Sequence, residues 1–314
     1  MIAPALAMIA RAVAAARNLW GELPANLRGA FWILIAAGLL TVMGAMVKHL
    51  GRDIPAVQMV FIRSLIAISV IVPFMARSGW AGFRTKRPGM HLFRTLVGTL
   101  GMVCVFYAFA HLPLAETVAI VFSRPLFAVG LAMVFLGETV GWRRITAALV
   151  GFAGVMVMVR PGSAVFDPAS LFALTAAVTA GSIAVIIKKM SATESTSSII
   201  IWFSVGSAVL TAVPGIVVWV PPTSVQWAYL VMIGIVGAVG MAALTKGFST
   251  GETSFVTPFD YSRLLYATAL GIFIFGETPD AWSVMGAVII VASGTYITRR
   301  ELALTRARRH ARGG

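Results

Sequence analysis

Two arginines stand where an apolar sequence has least use for charge. Arg124 and Arg263 lie near the middle of the apolar segments 114–136 and 253–275, and each follows a serine, Ser123 and Ser262. An arginine at the centre of a membrane span costs roughly 2.5–3.5 kcal/mol on insertion scales, so such a group is expected to be paired or to serve a ligand. Its planar fork donates two parallel hydrogen bonds, which suits a carboxylate or a phosphate. Asp260 stands three residues before Arg263 on the same helical face and is its expected partner. Val121 takes the matching place before Arg124, which is therefore expected to be the freer charge, facing a wet interior and binding an anionic group with Arg263 assisting.

Arg63, in the segment 56–76, is a further cation that lines a cavity or pairs with a carboxylate elsewhere. Tyr107 and Tyr261, with Phe122 and Tyr266, are candidate ring walls and equally good packing residues. The expected binding set is Arg124, Arg263, Asp260, Ser123, Ser262, Arg63, Tyr107 and Tyr261. Against it, small hydroxyl residues in apolar helices commonly bond their own backbone, and Pro125 and Pro258 are expected to kink their helices. Glu116 is expected to be hydrated near one membrane face, and Arg94 to run its head to the other.

These residues are carried by a chain of 314 residues that is 59% hydrophobic and only 11% charged. Soluble domains carry about 25% charge, and a helix needs roughly 20 apolar residues to cross the hydrocarbon of a bilayer. Segments of that kind occur at 29–50, 56–76, 91–110, 114–136, 142–159, 169–187, 198–218, 228–245, 253–275 and 282–298. The expected fold class is an all-α membrane protein of ten transmembrane helices. Alternate connections hold most of the 25 Lys and Arg, whereas the opposite set holds only Lys48, Arg52 and Arg160. The positive-inside rule then places both termini in the cytoplasm, in a cell inner membrane. Trp32, Trp80, Trp142, Trp219, Trp227 and Trp282 fall at or near span ends, where the indole ring prefers the headgroup region.

A formal charge of +14 placed in this way points to a bilayer rather than to a nucleic-acid partner. Residues 1–28 read as a cytoplasmic tail or interfacial helix, because Arg11 and Arg17 interrupt what a signal peptide would keep apolar. Residues 299–314 read as a basic cytoplasmic tail. The single cysteine, Cys104, excludes an intramolecular disulfide and gives no metal signal.

Shifting the sequence on itself by 139 residues lays FSRPLFAVGLAMVFLGET at 122–139 over YSRLLYATALGIFIFGET at 261–278, with eight identities in the seventeen positions 123–139. Ser-Arg and Gly-Glu-Thr in register are the informative matches. A fainter match sets 29–40 over 169–180 after a one-residue shift, with Lys48 and Lys188 in parallel. Units at 29–160 and 169–298 would each hold five spans. Five is odd, so the second enters from the opposite side: two inverted five-helix repeats, an arrangement of alternating-access carriers with a site near the midplane.

The run YAFAHLPLAETVAIVFSRPLF at 107–127 and a fourth span closing with Leu-Gly-Glu at 136–138, echoed by Phe-Gly-Glu at 275–277, are similar to the EamA-type family of the drug/metabolite transporter superfamily. The resemblance covers 29–298 and implies an exporter or importer of a small metabolite, here expected to be anionic or zwitterionic, such as an amino acid or related compound. It implies no cofactor, and no choice of cargo. The competing classes are a channel or scaffold, and a membrane-embedded enzyme. The enzyme finds little support: His49, His91, His111 and His310 show no metal-ligand spacing, and there is no Walker-type phosphate loop.

Overall fold

The computed structural model describes residues 23–78, 85, 87–136, 142–190, 193–194, 196–251 and 253–313. The expected tail at 1–28 therefore falls almost wholly outside the described residues, as does Glu138 of the first Leu-Gly-Glu.

Among the described residues the chain is all-helical. In order the helices are α1 (Ala25–Leu50), α2 (Ala56–Ser78), α3 (Pro88–His111), α4 (Leu114–Val121), α5 (Arg124–Leu136), α6 (Trp142–Val159), α7 (Ala169–Met190), α8 (Thr196–Val217), α9 (Ser224–Thr250), α10 (Thr253–Asp260), α11 (Ser262–Phe275) and α12 (Ala281–Gly313). Among the described residues six apolar stretches are long enough to cross a membrane, one of them Leu114–Leu131 taken across the turn between α4 and α5. Shorter apolar helices cover Ala56–Ser69, Ile145–Val159, Ser262–Phe275 and Ala281–Tyr296. Helices satisfy every backbone polar group within one segment, which is what hydrocarbon requires.

The largest helix contacts each join one helix from the first half of the chain to one from the second: α1 with α9, α6 with α12, α3 with α7, and α2 with α8. In the 139-residue register α1 corresponds to α7 and α9 to α3, so the first and third of these pairings are counterparts. Glycines permit the close approach, since a Cβ at Gly240 would lie 2.9 Å from Leu40 and one at Gly101 would run into Thr179. At one end of the bundle, the Gln58 side chain exchanges two hydrogen bonds with the Val220 backbone, at 2.8 and 3.0 Å. Thr223 and Gln226 form a capping box at the start of α9, and Gln226 Nε2 donates to Asp53 at 3.1 Å.

Candidate functional site

The spans expected at 114–136 and 253–275 are not continuous helices. Each breaks at the same place in the 139-residue register. In the first, Ser123 N–H returns to the Ile120 carbonyl at 3.0 Å and Leu126 N–H to Ser123 at 2.9 Å, a tighter turn than the α-helix makes. Contrary to expectation, Pro125 does not kink a helix interior: it sits in the first turn of α5, where a missing N–H costs little. Ser123 Oγ donates to the Ile120 carbonyl at 2.6 Å and is buried, so it serves its own backbone. In the second break, Leu264 N–H returns to Tyr261 at 3.0 Å. The two break residues touch: Phe122 and Tyr261, counterparts in register, meet edge to face with ring centroids 5.0 Å apart.

Around this contact the arginines and Asp260 converge, with a correction to the expected pairing. Asp260 does not serve Arg263 alone. Its Oδ1 lies 2.9 Å from Arg263 Nε, and its Oδ2 lies 3.1 Å from Arg124 Nη2, on a helix 136 residues away in sequence. Arg124 is therefore paired, although its side chain keeps 38% exposure against 6% for Asp260. The Arg263 approach is close but poorly aligned: Arg263 Nε and Nη2, Asp260 Oδ1 and Ser262 Oγ are buried without a satisfactory hydrogen bond. Two guanidinium groups facing one carboxylate leave a local charge of +1 and buried donors that lack an acceptor. That arrangement suits an oxyanion.

The remaining expected residues lie elsewhere. Tyr107 stacks on His111 with centroids 4.0 Å apart and tilts against Phe172 at 4.2 Å. Arg63 sits in α2, where its Nη1 lies 3.1 Å from Met102 Sδ. Arg94 does not run to the interface: it is buried, with its guanidinium 4.2 Å from the centre of the Phe203 ring. Glu116 lines a cavity of about 490 Å³ that also takes in Arg160, Asp167 and Asp280. That cavity opens between α11 and α12, which scarcely touch, and the Arg124–Asp260–Arg263 group does not line it.

Two polar clusters escaped the sequence. Gly276 ends α11 in the left-handed conformation, φ +67°, and the chain folds back so that Glu277 N–H reaches the Gly271 carbonyl at 2.9 Å. The Glu277 carboxylate then accepts from the Leu114 N–H at 2.8 Å, capping α4, and lies 2.8 Å from Lys48 Nζ on α1. Lys48 also donates to the Leu112 carbonyl at 2.6 Å. The second Phe-Gly-Glu thus clamps the two halves together at one end. At the other end, His91 Nε2 lies 3.3 Å from Glu194, with both side chains buried, and the Thr85 and Ser198 hydroxyls donate to the same carboxylate.

The profile of the EamA-like transporter family matches twice, at residues 27–160 and 167–299. The S-adenosylmethionine uptake transporter of Rickettsia prowazekii is 30% identical over 275 residues, covering 88% of this chain and 94% of that protein. The pseudopaline exporter CntI of Pseudomonas aeruginosa is 32% identical over 280 residues, 87% of this chain and 96% of its own. The riboflavin transporter of Vibrio cholerae is 29% identical over 289 residues, covering 90% and 97%. A solved crystal structure at 22% identity covers 88% of this chain and 98% of its own with a TM-score of 0.57, which shows a shared fold. With both halves matched and relatives aligned along nearly their whole length, this integral membrane protein belongs to the EamA-like transporter family.

Proposed function

We propose that the chain is a secondary-active carrier of a small anionic or zwitterionic metabolite, working by alternating access between two inverted five-helix repeats in a cell inner membrane. The observation that carries this reading is the cross-half group Arg124–Asp260–Arg263, which leaves one cationic charge unneutralised at the break of both discontinuous helices. Discontinuous helices at equivalent depth are where such carriers bind their cargo. Counterpart pairings, α1 with α9 and α7 with α3, support the repeat arrangement. The transporter relatives support a small-molecule cargo, and S-adenosylmethionine carries an amino-acid carboxylate of the type a guanidinium fork receives.

In this reading Arg124 and Arg263 hold the anionic end of the solute, and Asp260 is the resident counter-ion that the solute displaces or shares. Both termini are cytoplasmic, so reporters fused after Gly314 or placed in the 77–90 connection report cytoplasm, while reporters in 160–168 and 219–226 report the opposite side. The decisive test is transport. A metabolite that raises the thermal stability of the purified protein should show saturable uptake and counterflow in proteoliposomes. Arg124→Lys, which keeps the charge but loses the fork, should lower that transport strongly while folded protein still reaches the membrane. Flux that neither saturates nor shows counterflow would identify a pore and sink the proposal.

A further inference from the structure

Arg63 is the cation that the central group leaves unexplained. It is the eighth residue of α2, roughly 10 Å along the helix from its start. Its Nε is buried and has no hydrogen-bond partner among the described residues. The acceptor at 3.1 Å from its Nη1 is the thioether of Met102, which is weak. The ion-paired carboxylates among the described residues lead elsewhere: Asp260 to Arg124 and Arg263, Glu277 to Lys48, Glu194 to His91, Asp280 to Arg160.

A Cβ on Gly237 of α9 would lie 2.8 Å from Met43 Sδ, 3.5 Å from Arg63 Nε and 3.6 Å from Arg63 Nη2, so the guanidinium rests against bare backbone and an added methyl would touch it while pressing on Met43. Arg63, Met43 and Met102 face one another from α2, α1 and α3, and each keeps partial exposure although all three sit well inside their helices. Thioether walls are soft and adjust to the body of a ligand. Arg63 shares no helix with Arg124, Asp260 or Arg263.

We infer that Arg63 is a second anion-recognition group: its guanidinium receives a carboxylate or phosphate of an organic anion whose uncharged body lies against Met43 and Met102. This rests on the carrier reading above and extends it, since the cargo then meets two cationic poles on different helices. A guanidinium kept without a carboxylate is a stability cost retained for binding.

The test uses the full-length protein in detergent. Thermal unfolding is followed against sodium acetate and inorganic phosphate, with acetamide as the neutral control and ionic strength held with sodium chloride. The wild type should gain stability saturably with acetate or phosphate and not with acetamide. Arg63→Met should unfold, without added anion, at the same or a higher temperature, because it removes an unpaired charge, and its apparent affinity for the anion should fall at least about tenfold. Gly237→Ala, which keeps the charge but presses on Met43 beside the guanidinium, should weaken the response in the same direction, and Arg124→Gln, which removes one of the two poles, should weaken it without abolishing it.

A wild type that does not respond overturns the inference. So does an Arg63→Met variant that melts several degrees lower and keeps its anion response, which would make Arg63 structural. A response lost in Arg124→Gln and kept in Arg63→Met assigns the anion to the central group alone, leaving the carrier reading intact. Absence of counterflow in proteoliposomes defeats the carrier reading whatever the melting curves show.

Discussion

Arg124 and Asp260 lie 3.1 Å apart across the two halves of the chain, and Asp260 reaches Arg263 at 2.9 Å with its other oxygen. Removing the shared carboxylate therefore strands two cations. Asp260→Asn should cost about 3–5 kcal/mol, the range for breaking a buried pair. Arg263→Gln should fall somewhat below that. Arg124→Gln should cost no more than about 1 kcal/mol, because its side chain is 38% exposed and partly screened. Thermal unfolding of the three variants in one detergent checks the order; an Arg124 variant as damaged as Asp260→Asn would show that its charge is not reached by water.

Glu277 makes a different kind of junction, capping α4 while holding Lys48. Glu277→Gln keeps an acceptor for the Leu114 N–H but loses the ion pair, and should cost about 1–3 kcal/mol. Gly271→Ala should act almost as strongly without altering any charge, since its methyl would come 2.5 Å from the Glu277 carboxylate. Combined with Glu277→Ala, which vacates that space, Gly271→Ala should become nearly neutral. Full additivity in that double-variant cycle would mean that the two residues do not meet.

The His91–Glu194 contact ties the start of α3 to the connection before α8, with side-chain exposures of 1% and 2%. Glu194→Gln leaves the hydroxyls of Thr85 and Ser198 an acceptor, whereas Glu194→Ala leaves them and His91 facing a void. The alanine variant should be the less stable by about 1–3 kcal/mol. Chemical denaturation in detergent compares them, and equal midpoints would remove the cluster from the stabilising contacts.

Asp280 begins α12, accepting the Ser283 N–H at 2.8 Å and pairing with Arg160 at 2.7 Å. The Ser283 bonds, followed by the Arg160 charge, hold its carboxyl below the usual 3.8. A depressed carboxylate stabilises the fold above its unfolded value and ceases to do so as pH falls through its folded one. Asp280→Asn should therefore flatten the stability profile below about pH 4 and leave its shape unchanged between pH 6 and 8. A difference confined to neutral pH would contradict this.

What the sequence disclosed follows the range of each interaction. Uninterrupted apolar runs announce helices, because hydrocarbon permits little else, and the Asp260–Arg263 spacing of three announces its own pair. The breaks at Phe122 and Tyr261 were hidden: both residues keep right-handed backbone angles, φ −67°, and neither is a turn-forming type. Pro125 was visible but misleading, since a proline in a first turn and a proline in a helix interior look alike until the helix start is known. Arg124's partner lies 136 residues away and Glu194 lies 103 from His91, distances that no local spacing encodes. The Phe-Gly-Glu motif was legible as a motif, while its purpose depended on Lys48 and Leu114 in the other half.

The presence of Asp260 at one position and Val121 at its counterpart makes the two halves electrostatically unlike. Two copies of the first half, docked as the two halves are here, would bring two arginines together with no carboxylate. Two copies of the second would supply two of each and cancel. Only the unlike pair yields three charges with a remainder of one, so the chain has a polarity that two copies of either half would lack. Because the two halves differ at this one position they are not interchangeable, and the covalent link between them secures one carboxylate to two arginines in every molecule.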